Sequence, residues 1–122
     1  FTLADDPAFL KVGTQYGFLS GSSTHADRVA TIRDCYERLG VMIDPHTADG
    51  VKVARELRNQ VDTPIVCLET ALPVKFAHTI KEATGREPDL PDRFTTIMQA
   101  ERHVTDLPND VDVVKDFIAA ND

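Results

Sequence analysis

The side chain best placed for chemistry is Thr70. It stands in Glu69-Thr70-Ala71, directly after the apolar run Ile65-Val66-Cys67-Leu68 and just ahead of a helix start at Pro73. In open α/β sheets ligands gather at the carboxyl ends of strands, where a following helix also presents free N–H groups. A short hydroxyl there can contact a ligand, or it can cap the helix that Pro73 begins. Lys75 lies nearby, in the first turns of a helix, where lysine ordinarily carries its charge into solvent. His25 opens a helix and His46 follows Asp44-Pro45, positions that favour local hydrogen bonding over catalysis. His78 and His103 have no partner nearby in the sequence. Gly21-Ser22-Ser23-Thr24 could cradle a phosphate, but it lacks the spacing and the lysine of a P-loop and reads as a helix cap. No serine, histidine and aspartate fall into a hydrolytic order, and no histidine pair or cysteine spacing points to a metal.

The elements that must position Thr70 follow from periodicity and punctuation. Residues 1–16 read as an irregular lead-in containing the turn pair Asp6-Pro7, and Val12 to Leu19, broken by Gly13 and Gly17, as loop with at most a short strand. Thr24 with Asp27 has the form of a capping box, and Val29, Ile32, Tyr36 and Leu39 recur at helical spacing up to Gly40. This predicts a helix over Thr24 to Leu39. Val41-Met42-Ile43 is a short apolar run. Asp44-Pro45 then starts a second helix with a stripe of Val51, Ala54, Leu57 and Val61, ended by Asp62-Thr63-Pro64. Ile65 to Leu68 is apolar on both alternating faces and rich in β-branched residues, as in a strand covered on both sides. Pro73 opens a third helix with Phe76, Ala77, Ile80 and Ala83 inward, closed by Gly85. Glu87 to Arg93, with two prolines, should run extended over the surface. A weaker helical pattern spans Phe94 to Val104, and Asn109 with Asp112 is expected to cap a final helix. The fold class expected is therefore α/β and helix-rich: four or five helices around one buried strand (65–69), with at most two short further strands.

Composition bounds the rest. With 122 residues, 42% hydrophobic and 27% charged, one sizeable core can be buried but not two, so residues 1–122 are expected to form a single unit. The net charge of −7 gives no phosphate-backbone attraction, so neither nucleic acid nor an anionic membrane is an expected partner. No apolar run approaches the roughly 20 residues of a bilayer span. Cys35 in a helical pattern and Cys67 in the apolar run suggest two buried thiols in a reducing compartment. The chain opens on Phe1 rather than methionine, which suggests a piece of something longer, and the unpartnered strand suggests that the rest of its sheet lies elsewhere.

Three strings carry a resemblance. Gly-Phe-Leu-Ser-Gly-Ser-Ser-Thr-His-Ala-Asp-Arg-Val-Ala-Thr-Ile (17–32), Ile-Asp-Pro-His-Thr-Ala-Asp-Gly (43–50) and Leu-Glu-Thr-Ala-Leu-Pro-Val-Lys-Phe (68–76) resemble, in order and spacing, the C-terminal portion of the threonine synthase family. The resemblance is dense over 17–85 and looser before it and over 86–122, a surface connection and helical tail. It implies part of a larger tryptophan-synthase-like fold, dependent on pyridoxal 5'-phosphate. It also implies a cytoplasmic lyase that turns O-phospho-L-homoserine and water into L-threonine and phosphate.

By the same resemblance Thr70 occupies the place of the threonine that hydrogen-bonds the cofactor's ring nitrogen. A hydroxyl does not hold a pyridinium by charge, so the nitrogen can stay largely neutral. Leu72 stands where the family commonly has histidine. The family's Schiff-base lysine and phosphate-binding loop have no matching motif here, and none of the five lysines sits in the right context. The chain alone is thus expected to hold no catalytic residue, to bind no cofactor and to be inactive. Its expected partner is the N-terminal portion of the same protein, with self-association over the unpartnered strand as a further expectation. The alternative is a free-standing helical module for protein interaction or regulation.

Overall fold

Four of the five α-helices among the described residues begin where a side chain takes up free N–H groups of the first turn. The structure is a computed structural model that describes residues 3 and 6–121. Asp6 accepts from the N–H groups of Ala8 and Phe9 to cap α1 (Pro7–Tyr16). Thr24 and Asp27 cap α2 (His25–Leu39) reciprocally, and the two hydrogen bonds from Thr24 hold the Asp27 carboxyl below the usual carboxylate range. Asp44 caps α3 (Pro45–Leu57), whose first position is Pro45. Asp110 caps α5 (Val111–Ala120). The exception, α4 (Ala77–Thr84), grows out of a 3-10 turn over Pro73–Phe76 and needs no cap of its own. Gly40 closes α2 at φ 67°, a left-handed conformation that a side chain would strain.

The chain divides into two units, Phe1–Asp89 and Leu90–Asp122. In the first, α2 packs on both α3 and α4. Ile32, Cys35, Ile43, Ala48, Ile80 and Ala83 form the buried core, with Val29, Met42 and Val51 against it. Gly21 allows the loop ahead of α2 to lie on α3, since a Cβ there would stand 2.9 Å from Cγ2 of Val53. Polar ties cross the same contacts: Arg28 Nε to Asp49 at 2.8 Å, Arg55 Nη2 to Asp34 at 2.8 Å, and Arg33 Nε to the carbonyl of Ala83 at 2.9 Å. The second unit carries 3-10 turns at Asp92–Phe94 and Ile97–Gln99 and then α5, none of whose side chains is buried. The guanidinium of Arg93 lies 4.7 Å over the ring of Phe94.

The expected buried strand at 65–69 does not form, and no strand occurs among the described residues. A strand is defined by a neighbour that completes its ladder, and among the described residues none lies beside this segment. Residues 65–68 run without helix or turn, with Val66 79% and Leu68 77% exposed. Cys67 is therefore exposed rather than buried, while Cys35 lies in the core, and both are free thiols. The further strand expected near Val41 to Ile43 is a linker whose Ile43 fills the helical core. The loop or strand expected over Val12 to Leu19, and the irregular lead-in over 1–16, are corrected by α1, because Asp6-Pro7 starts a helix as Asp44-Pro45 does. Residues 1, 2, 4 and 5 of that lead-in lie outside the described residues. Phe94 to Val104 holds only short 3-10 turns, and the last helix is capped by Asp110 rather than Asn109.

Ile32 is wholly buried and Leu39, on the same helix, is 65% exposed. Ile32→Ala should cost about 2–5 kcal/mol and Leu39→Ala less than about 0.5 kcal/mol, measured by urea unfolding followed through helical circular dichroism.

Candidate functional site

The polar centre of the molecule is a carboxylate with no solvent exposure. Asp44 is 0% exposed and accepts from four donors. These are the His46 N–H at 3.0 Å, the His46 Nδ1 at 2.9 Å, the Thr47 N–H at 3.3 Å and the Thr47 hydroxyl. An ionised carboxylate only accepts, so His46 carries its proton on Nδ1 in this arrangement. Burial pushes the Asp44 carboxyl up, but the hydrogen bonds from Thr47 and His46 outweigh it and hold the group below the usual carboxylate range. The positive end of α3 favours the same charge.

Thr47 passes this anchoring on. Its hydroxyl, in a residue only 6% exposed, donates to Asp44 and accepts the backbone N–H of Thr70 at 3.4 Å. The ring of His46 meets Phe76 edge-on at 5.0 Å and 67° between planes. The first turn of α3 thus touches the chain at Thr70 and again at Phe76.

Thr70 itself is exposed, between the extended run and the 3-10 turn. It does not cap that turn: the N-cap position is Leu72, and no side chain makes a capping bond there. Lys75 is exposed in the turn, and His78 is exposed on α4. His25 is engaged at long range, its Nε2 standing 3.0 Å from Glu82 Oε2 across α2 and α4. A cleft of about 290 Å³ gathers His25, Arg28, His46, Asp49 and Phe76, and Thr70 is not among the residues lining it. Asp49 already engages the Arg28 guanidinium there. Sequence reasoning read Asp44 as a helix cap and passed over Thr47. The local signal, a hydroxyl three residues after an N-cap aspartate, was visible; its reach to residue 70 is tertiary.

Among the described residues no three His, Cys, Asp or Glu side chains converge as metal ligands, and no helix is long and apolar enough to cross a membrane.

Residues 47–118, more than half of the chain, match the family described as "Threonine synthase, C-terminal". The chain belongs to this threonine synthase family. It is 64% identical over 118 residues to threonine synthase of Corynebacterium glutamicum and 47% identical over 118 residues to that of Methylobacillus glycogenes. In each case 97% of the chain is matched, but it spans only 24% of the relative's length. Among solved structures, PLP-bound threonine synthase from Brucella melitensis superimposes with a TM-score of 0.71 at 35% identity, over 98% of this chain and 25% of that one. The three motifs that carry the resemblance lie within the 118 residues matched by each of the first two relatives, the third (68–76) also within the family match, and the Asp44–Thr47–Thr70 connection joins two of them.

The charge on Asp44 gives a pH signature. Its folded-state value lies below the unfolded one of about 3.9, so its stabilisation is complete above that value and is lost as pH falls through the folded value. Asp44→Asn should be less stable than wild type near neutral pH. The difference should shrink as pH is lowered from about 5 towards 2, read from urea midpoints at each pH.

Proposed function

We propose that this chain is the C-terminal part of a threonine synthase that converts O-phospho-L-homoserine and water into L-threonine and phosphate in the cytoplasm, and that within it Thr70 contacts the ring nitrogen of pyridoxal 5'-phosphate. The observation that carries the reading is the state of Thr70. The residue is exposed and its hydroxyl is not spent on a helix cap, while its backbone is tied to α3, which suits a side chain reserved for a ligand. Family membership and the matching Glu-Thr-Ala-x-Pro-x-Lys-Phe motif support the choice of ligand.

When bound, the cofactor supplies an electron sink suited to elimination and replacement at the β and γ carbons of an amino acid. Thr70 would hold the ring nitrogen by a hydrogen bond without a full charge opposite it, leaving it largely unprotonated. Pro73 and the turn it begins fix the chain immediately after Thr70. The Schiff-base lysine and the phosphate grip have no matching motif in this sequence, so the remainder of the protein is the partner that must provide them. The 122 residues alone would be inactive.

In the full-length protein, Thr70→Val keeps the shape and removes the hydrogen bond. It should cost roughly 1–3 kcal/mol in cofactor binding or turnover, measured by equilibrium dialysis of the cofactor and by phosphate release from O-phospho-L-homoserine. Thr70→Asp should instead favour a protonated ring nitrogen and change the cofactor's absorbance. Unchanged affinity, absorbance and turnover in Thr70→Val would remove Thr70 from the site. Absence of phosphate release by the full-length wild type would remove the activity.

A further inference from the structure

We infer that Thr47, fixed by the buried Asp44, is a positioning residue that sets Thr70 in place for the cofactor ring; this rests on the reading that Thr70 meets that ring. The argument starts from the hydroxyl itself, which has one proton and two lone pairs. The proton goes to Asp44 Oδ2, because an ionised carboxylate can only accept. A lone pair is then left to face outward, and it receives the Thr70 N–H. The direction of the whole chain, Thr70 to Thr47 to Asp44, is set by the charge at its end.

Capping α3 does not require this arrangement. Asp44 already satisfies the N–H groups of residues 46 and 47 with its own oxygens, and alanine at 47 would leave those bonds in place. What the Thr47 hydroxyl adds is the reach to residue 70. Among the described residues no sheet ladder holds the segment ahead of Thr70, and the Thr47 hydroxyl is the side chain that bonds its backbone there. On its far side, the contact of His46 with Phe76 ties the turn after Thr70 to the same first turn of α3. The amide of Thr70 is consumed in holding position while its hydroxyl stays available.

The test uses the full-length protein and variants at both threonines. In the cofactor-free protein, Thr47→Ala should speed hydrogen exchange of the Thr70 amide roughly tenfold, with little change in the core of α2. Dialysis against pyridoxal 5'-phosphate should show affinity weakened roughly three- to tenfold by Thr47→Ala and restored to within about twofold of wild type by Thr47→Ser. In a Thr70→Val background, Thr47→Ala should weaken the affinity no further, because its effect runs through the Thr70 hydroxyl.

Equal losses in both backgrounds, or failure of serine to restore binding, would overturn the inference and leave Thr47 a packing residue. Unchanged exchange at Thr70 would overturn it as well. If Thr70→Val alone leaves affinity untouched, the ring-contact reading fails; the exchange measurement then still reports whether Thr47 holds the Thr70 amide. Should Thr47→Ala not fold, Asp44→Asn carries the same cycle, since asparagine remains a good N-cap but lacks the charge that orients the hydroxyl.

Discussion

A carboxylate taken wholly out of water has to be met by donors on nearly every lone pair, or the helix that buries it does not form. Asp44 meets that demand with donors drawn from only two residues, His46 and Thr47, both in the turn it caps. The consequence is that the start of α3 is fixed more closely than packing alone would fix it. Pro45, Thr47 and Ala48 are all buried around it, so the polar node and the apolar core share one location. Everything attached to that turn inherits its position, including Ile43 before it and the segment at residue 70 beside it.

The arginine ties around this node are of a different kind. Arg28 with Asp49 and Arg55 with Asp34 are partly exposed, and pairs of that sort contribute little to stability on their own. Their use is directional, since α2 and α3 can slide past one another on apolar contacts but not without separating these charges. Burial of Ile32, Ile80 and Ala48 supplies the cohesion; the ion pairs select the alignment.

What the sequence disclosed, and what it hid, divides by range. The caps at Thr24 and Asp44, the glycine closures at Gly40 and Gly85 and the inward Ile32, Ile80 and Ala83 depend on residues a few positions apart and follow from pattern, whereas Leu39, on the same expected stripe as Ile32, is exposed. The same Asp-Pro signal at residues 6 and 7 reads as a turn because no clear period follows it, and Gly13 reads as a break; both lie in or at the start of α1 all the same. The apolar run at 65–68 was legible as chain that wants cover, yet whether it becomes a strand depends on neighbours that no local pattern contains. Thr70 stands out as a candidate from its place before Pro73 and from the motif around it, but the strand whose carboxyl end it was expected to occupy does not form. Its tie to Thr47 crosses from residue 70 to residue 47, and nothing at either position alone announces the other.

The run at 65–68 also carries a safeguard in its own boundaries. Four consecutive uncharged, mostly β-branched or bulky residues with no ladder partner among the described residues are the raw material of intermolecular sheet growth. Pro64 stands immediately before them and Glu69 immediately after. A residue without an N–H and a residue with a fixed charge at the two boundaries act as gatekeepers, and they confine the hazard to four positions, short of the roughly six or seven that a steric zipper needs.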